Sequence, residues 1–271
     1  MEKFTRNKRV VAITKILLEN PNKILGLNTF SELLNAAKST ISEDIVVVRE
    51  VLERLEMGRI ETIAGVAGGI KYIPQSGEEE KKAFALELCK QLSDDGRVIP
   101  GNIIYMTDLM YNPKIISKAG VMLSSCFKDR EVDYVITVET KGIPLAYEVA
   151  KLLGVQLVIV RRENKITEGP SVSINYVSGS NRRIQNMSLS KKAMKKGSNC
   201  VFIDDFMKAG GTAVGIKDLL KEFDSELVGI GVLVDNKQIE KKLVDEYVSI
   251  VELKAVDKSV ITGIQPSKAF S

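Results

Sequence analysis

Two adjacent carboxylates, Asp204 and Asp205, close the apolar run Val201-Phe202-Ile203 and stand four residues ahead of Gly210-Gly211-Thr212. Each part has a separate chemical use. The glycines let backbone approach an anion closely, and the N–H groups at the start of a helix point at it. Thr212 adds a hydroxyl. The carboxylates only accept hydrogen bonds, so they suit sugar hydroxyls rather than phosphate. A carboxylate pair beside an anion cradle therefore implies a ligand with both a ribose and a 5′-phosphate. A divalent cation would reduce the repulsion between the two acids. A plain strand–turn–helix junction that carries two aspartates is the simpler alternative.

A second loop has related chemistry. After an apolar segment ending at Glu139 come Thr140-Lys141-Gly142-Ile143-Pro144. Lys141 supplies charge and Gly142 allows close backbone approach, although a simple turn with a surface lysine would look the same. Between the two loops, Arg161-Arg162 and Lys165 lead into Ser171-Val-Ser-Ile-Asn-Tyr-Val-Ser178, an alternating strand pattern, and then Gly179 to Arg183. The plain alternative for this stretch is a solvated hairpin, and its basic residues are also placed to face a polyphosphate or DNA.

The elements that carry these loops alternate. Asp133–Glu139, Val155–Val160, Asn199–Ile203 and Leu227–Val234 are strand candidates. Helical stretches fall at Ile143–Leu153 and near Thr212–Phe223. Near-continuous apolar strands of this kind belong in a parallel sheet covered on both faces. Ligands of such sheets bind at the carboxyl ends of the strands, where both loops lie.

The first 74 residues are organised differently. Val10, Ile13 and Leu17 share a helix face that ends at Asn20-Pro21. A second helix is expected to start at Thr29-x-x-Glu32, and a third at Thr40-x-x-Glu43, both capping-box patterns. The third carries the stripe Ile41, Ile45, Val48, Leu52 and Leu55, with Gly58 as the expected stop. Two short strands then flank Gly65, Gly68 and Gly69. Three helices and a β-wing are the parts of a winged helix-turn-helix, which puts its third helix in the major groove. Lys38, Ser39, Thr40 and Ser42 open that helix. Lys3, Arg6, Lys8 and Arg9 cluster at the chain start, and Arg59 and Lys71 lie on the wing, placed to meet phosphates. A small bundle that docks proteins would use the same helices. Over residues 1–75 there are 11 Lys+Arg against 9 Asp+Glu, so any DNA affinity depends on where the cations are placed.

Composition narrows the chemistry. The chain has 271 residues, and the break at Pro74-Gln75-Ser76-Gly77 divides it into domains 1–74 and 75–271. With no His, every His-based triad, general base or metal site is removed. Three widely spaced Cys form neither a ligand set nor a disulfide framework, so a reducing cytoplasm is expected. No apolar run approaches the roughly 20 residues of a spanning helix, so no membrane partner and no signal peptide are expected.

The segment from Val201 to Gly215 resembles the phosphoribosyl-pyrophosphate (PRPP) signature of type I phosphoribosyltransferases. With the winged front end, Lys141-Gly-Ile-Pro-Leu-Ala and Ser-Ile-Asn-Tyr-Val-Ser-Gly-Ser, the whole chain resembles the purine operon repressors of Gram-positive bacteria. The resemblance implies an α/β chain, with an N-terminal winged helix and a C-terminal parallel-sheet phosphoribosyltransferase-like domain. It implies a cytoplasmic homodimer that binds double-stranded operator DNA of purine genes, with PRPP as the effector that weakens the grip, Mg²⁺ an open companion, and no catalysis. The site then consists of Asp204 and Asp205 on the ribose hydroxyls, Lys208, Ala209, Gly210, Gly211 and Thr212 around the 5′-phosphate, and Thr140, Lys141 and Gly142 on the pyrophosphate. Phe206, Met207 and Lys208 depart from the small and β-branched residues common in the enzymes, and Lys208 suits a binder that retains its ligand. The competing expectation is a purine phosphoribosyltransferase, transferring ribose 5-phosphate from PRPP to a base.

Overall fold

The computed structural model describes residues 4–65, 67–94, 96–100, 103–163, 167, 169–177, 184–257 and 260–271. Lys3, Lys165 and the hairpin tip from Ser178 to Arg183 lie outside the described residues. The chain forms two compact units, Met1–Gly77 with Leu152–Gly154, and Glu78–Lys151 with Val155–Ser271.

The first unit runs α1 (Arg6–Glu19), β1 (Ile24–Leu25), α2 (Leu27–Leu34), α3 (Lys38–Arg54), β2 (Gly58–Ile63) and β3 (Gly69–Pro74). The strands form an antiparallel sheet in the order β1-β3-β2. Ile13 and Leu17 of α1, Phe30 and Leu34 of α2, the α3 stripe from Ile41 to Leu52, and Ile60, Ile70 and Tyr72 of the wing bury one another. This is the expected winged-helix arrangement, with three boundary corrections. α2 starts at Leu27 rather than Thr29, because the earlier start puts Leu27 on the face of Phe30 and Leu34. α3 starts at Lys38 rather than Thr40, and the Ile41 N–H bonds the Ala37 carbonyl at 3.0 Å. Gly58 is not the stop of α3. Glu56 takes the left-handed conformation, and the Met57 N–H returns to the Leu52 carbonyl at 2.9 Å, closing a Schellman turn. Gly58 instead lets the wing pass Tyr72, since a Cβ there would stand 2.5 Å from the Ile73 carbonyl oxygen.

The second unit runs α4 (Glu78–Leu92), β4 (Val98–Ile99), β5 (Ile103–Ile104), α5 (Thr107–Met110), α6 (Pro113–Ser125), β6 (Tyr134–Val138), α7 (Ile143–Leu153), β7 (Gln156–Val160), β8 (Ser171–Val177), β9 (Ile184–Ser190), β10 (Asn199–Met207), α8 (Gly211–Lys221), β11 (Glu226–Asn236), β12 (Val248–Asp257) and β13 (Val260–Pro266). Six strands form one sheet in the order β13-β12-β11-β10-β6-β7, parallel except for the antiparallel edge strand β13. The chain leaves β6 toward β7 on one side and β10 toward β11 on the other. The crevice between β6 and β10 is therefore the topological switch point, where loops at the carboxyl ends part and leave room for a ligand.

β8 and β9 pair as an antiparallel hairpin. Its inner face is not solvated, which sets aside the plain alternative of a solvated hairpin. Tyr176, Met187 and Leu189 belong to the core, and β8 packs on α8. Gly215 makes this packing possible, because a Cβ there would stand 2.9 Å from the Tyr176 ring.

Candidate functional site

A cavity of about 390 Å³ opens at the switch point. It is lined by Thr140 and Lys141 from the loop after β6, and by Asp204, Asp205, Phe206, Met207, Lys208, Ala209, Gly210, Gly211 and Thr212 from β10 and the start of α8. β10 continues through Met207, so the two aspartates sit within the strand rather than after it. The connecting loop shrinks to Lys208–Gly210. Gly210 adopts φ +88°, where a side chain would be strained, and the backbone turns there into α8. Met207 borders the cavity, but its side chain is buried in the core.

The two loops meet at Gly142. A Cβ on it would come within 2.8 Å of both Asp204 Oδ1 and Thr137 Oγ1, so only glycine lets the β6 loop lie against the carboxylate. The peptide between Glu139 and Thr140 is cis. The Asp205 N–H donates to Asp204 Oδ1 at 2.9 Å. Burial pushes the Asp204 carboxyl well above the usual carboxylate range, and the Asp205 charge adds to the shift. An arriving group that donates hydrogen bonds, or a cation, would relieve that cost. Among the described residues no cluster of three or more His, Cys, Asp or Glu could hold a metal ion. A Mg²⁺ ion at this site would take its ligands from the aspartates together with oxygens of the bound molecule.

Residues outside the motifs complete the cavity. Arg162 lines it and donates from Nη1 to Gln185 Oε1 at 3.0 Å, and the Tyr176 hydroxyl donates to the same oxygen at 2.5 Å. Glu139 accepts from Arg161 Nη1 at 3.1 Å and from the Arg162 N–H at 2.8 Å. The Arg161-Arg162 pair was visible as a basic start to the hairpin. Gln185 carried no signal, because it joins the site only once β9 pairs with β8 and sets it opposite Tyr176.

In the winged unit, Lys38 and Ser39 are exposed at the start of α3, with Thr40 half-buried beside them. Ala37 offers no side-chain cap, so the first-turn N–H groups are left for an outside acceptor. Ser42 donates to the Lys38 carbonyl at 2.9 Å. Lys8 is exposed. Arg9 must be withdrawn as a phosphate ligand. Its guanidinium is buried and donates to Asp44 Oδ2 at 2.6 Å, with Asp44 itself 1% exposed. Arg6, largely exposed, comes within 3.5 Å of the other Asp44 oxygen. On the wing, Glu61 sits between Arg59 at 2.7 Å and Lys71 at 3.6 Å. Arg49 ties α3 to the wing through the Ile60 carbonyl and the Thr62 hydroxyl, both at 3.1 Å.

Comparison with known proteins agrees with both halves. Residues 5–74 match the family described as bacterial purine repressor, N-terminal, and residues 106–266 match the phosphoribosyl transferase domain. The chain is 48% identical to the purine biosynthesis transcriptional repressor of Bacillus subtilis, over 94% of this chain and 90% of that one. It is 39% identical to the purine biosynthesis transcriptional activator of Lactococcus lactis subsp. lactis, over 93% of each. The adenine phosphoribosyltransferase of Rhodothermus marinus superposes with a TM-score of 0.54 at 22% identity, covering 63% of this chain and 99% of that one, a likeness of fold. With a relative this similar along nearly the whole chain, and with the winged unit and the phosphoribosyltransferase-type sheet joined in the same order, the chain belongs to the bacterial purine repressor family.

Proposed function

We propose that this chain is a transcriptional repressor of purine synthesis and transport genes, which holds operator DNA through the winged unit and loosens it when PRPP fills the cavity. One observation carries this reading. A winged unit with an uncapped, hydroxyl-rich α3 start shares a chain with a switch-point cavity that places a carboxylate pair beside a backbone anion cradle. Asp204 and Asp205 take the ribose hydroxyls, Lys208 to Thr212 the 5′-phosphate, and Thr140 to Gly142 the pyrophosphate. Mg²⁺, where it accompanies PRPP, neutralises charge between the aspartates and the pyrophosphate. Lys8, Lys38, Ser39, Thr40 and Ser42 meet the DNA directly, and Arg6, Arg59 and Lys71 do so after leaving their carboxylate partners. The active form is a cytoplasmic homodimer, matching two operator half-sites.

For PRPP to release DNA it must bind the DNA-free state more tightly, and by reciprocity DNA must weaken PRPP binding by the same factor. The name of the Lactococcus relative favours a second reading, in which the same ligand and DNA sites raise transcription. Transcription from a purine promoter, reconstituted with the purified chain, separates the two. Repression relieved by PRPP supports the first reading, and PRPP-dependent stimulation supports the second. The chain is further proposed to lack transferase activity. Turnover of PRPP with adenine, guanine, hypoxanthine or xanthine would overturn that part and make the protein bifunctional.

A further inference from the structure

After β11, residues 237–247 run without helix or strand, yet they are attached to the phosphate loop at consecutive points. Lys242 Nζ donates to the Lys208 carbonyl, the Leu243 N–H donates to the Ala209 carbonyl at 2.8 Å, and Val244 lies against Gly210. The Lys242 side chain is almost enclosed. Its ammonium stands 2.7 Å from Asp235 Oδ1 and also donates to the Asn236 carbonyl at 2.7 Å. Asp235 is fully buried, and it also meets Lys237 and the Tyr247 hydroxyl, each at 2.8 Å. Glu252 lies 3.5 Å from Lys237, so two acids face two lysines and the cluster carries no net charge. Lys242 therefore contributes little field to the cavity. What it fixes is direction.

A trans peptide is planar, with its C=O and N–H pointing opposite ways. Holding the Lys208 carbonyl toward Lys242 turns the Ala209 N–H away from it. Holding the Ala209 carbonyl toward Leu243 turns the Gly210 N–H the same way. All three residues line the cavity. We propose that Lys242 is a positioning residue of the ligand site: from outside the cavity it locks the phosphate loop so that two successive N–H donors, of Ala209 and Gly210, face the 5′-phosphate of a sugar-phosphate ligand. This rests on the sugar-phosphate reading above. Donors already aimed lose less freedom when the anion arrives, and affinity rises accordingly.

The experiment uses the full chain, with Lys242→Met and Lys242→Arg variants, and calorimetric titration with PRPP, ribose 5-phosphate and inorganic pyrophosphate in Mg²⁺. Asp235 keeps Lys237 and Tyr247 in the Met variant, so no buried charge is stranded. Lys242→Met is expected to weaken ribose 5-phosphate and PRPP by roughly 10- to 100-fold, the range for a lost hydrogen bond to a charged group. It should leave pyrophosphate, held by Thr140 to Gly142, unchanged, and Lys242→Arg should recover most of the loss. Unaltered ribose 5-phosphate binding in the Met variant overturns the proposal. So does an equal loss for pyrophosphate, which marks a general collapse of the pocket. If the unmodified chain takes up neither PRPP nor ribose 5-phosphate, the sugar-phosphate reading itself fails and the clamp falls with it.

Discussion

In the winged unit, four cations that a phosphate backbone would attract are held by two carboxylates, Arg6 and Arg9 by Asp44, and Arg59 and Lys71 by Glu61. Around the cavity, Lys141 and Lys208 make no ion pair among the described residues, and the cradle itself is backbone. On the proposed reading, the difference lies in how each kind of anion site is specified. Side-chain cations can be diverted by any acid the fold brings near them, so a list of lysines and arginines overstates the DNA contacts. Backbone donors and a glycine at φ +88° are set by spacing along the chain, and the neighbours that bond this loop take its carbonyls, at Lys208 and Ala209.

The largest expected effect tests the cavity. Asp204→Ala or Asp205→Ala should cost roughly 10- to 100-fold in PRPP affinity, through lost hydrogen bonds to a charged acceptor, and should erase the PRPP response of the operator complex. Operator retention without PRPP should persist in a gel-shift assay, because neither residue is in the winged unit. A surviving PRPP response would remove the aspartates from the ligand site.

Comparable in size is a pair of substitutions that separates the two uses of a cation. Arg9→Met strands Asp44 in the interior with only Arg6 nearby, and should lower the unfolding free energy by about 3 kcal/mol, the low end for a broken buried pair. Lys8→Ala should change stability by less than about 0.5 kcal/mol and instead weaken operator binding, with the salt slope falling by about one. Urea unfolding and salt-dependent gel shifts read the two. Similar stability losses would erase the distinction between structural and phosphate-facing cations.

A smaller effect concerns Asp204 in the free protein. Its carboxyl is raised by burial and by Asp205, so folding favours the protonated form. The group therefore contributes stability that is fully present below its unfolded value and is lost as pH rises through its folded value. Asp204→Asn, which keeps the acceptor for the Asp205 N–H, should melt higher than the parent near neutral pH, while PRPP binding falls. The advantage should vanish in acid. A lower melting temperature at neutral pH would contradict the assignment. The smallest effect is on the wing. Glu61→Gln frees two part-exposed cations whose pairs are worth about 0–1 kcal/mol each, so operator binding should tighten only a few-fold and its salt dependence steepen.

Much of the sheet was legible because β6, β10 and β11 are apolar on both faces, and α7 has the same limits that its pattern predicts. β12 and β13 were not, since Glu252, Lys254 and Asp257 interrupt the first and the second is a half-exposed edge. α6 has a strong apolar face but no chemical motif to draw attention to it. Asp44 did leave a signal. It falls within the α3 stripe between Ile41 and Val48, where a carboxylate needs a cation, and that cation is Arg9. Lys242 left none, because its acceptor at Lys208 is 34 residues away and is a carbonyl that any residue could supply.

The central claim is a thermodynamic link between the cavity and the winged unit. Titrating PRPP into a preformed complex of the chain with purine-promoter DNA, at fixed salt and Mg²⁺, measures that link directly. The account predicts that operator affinity falls as PRPP saturates, and that DNA lowers PRPP affinity by the same factor. An operator affinity that stays constant while PRPP demonstrably binds would contradict it.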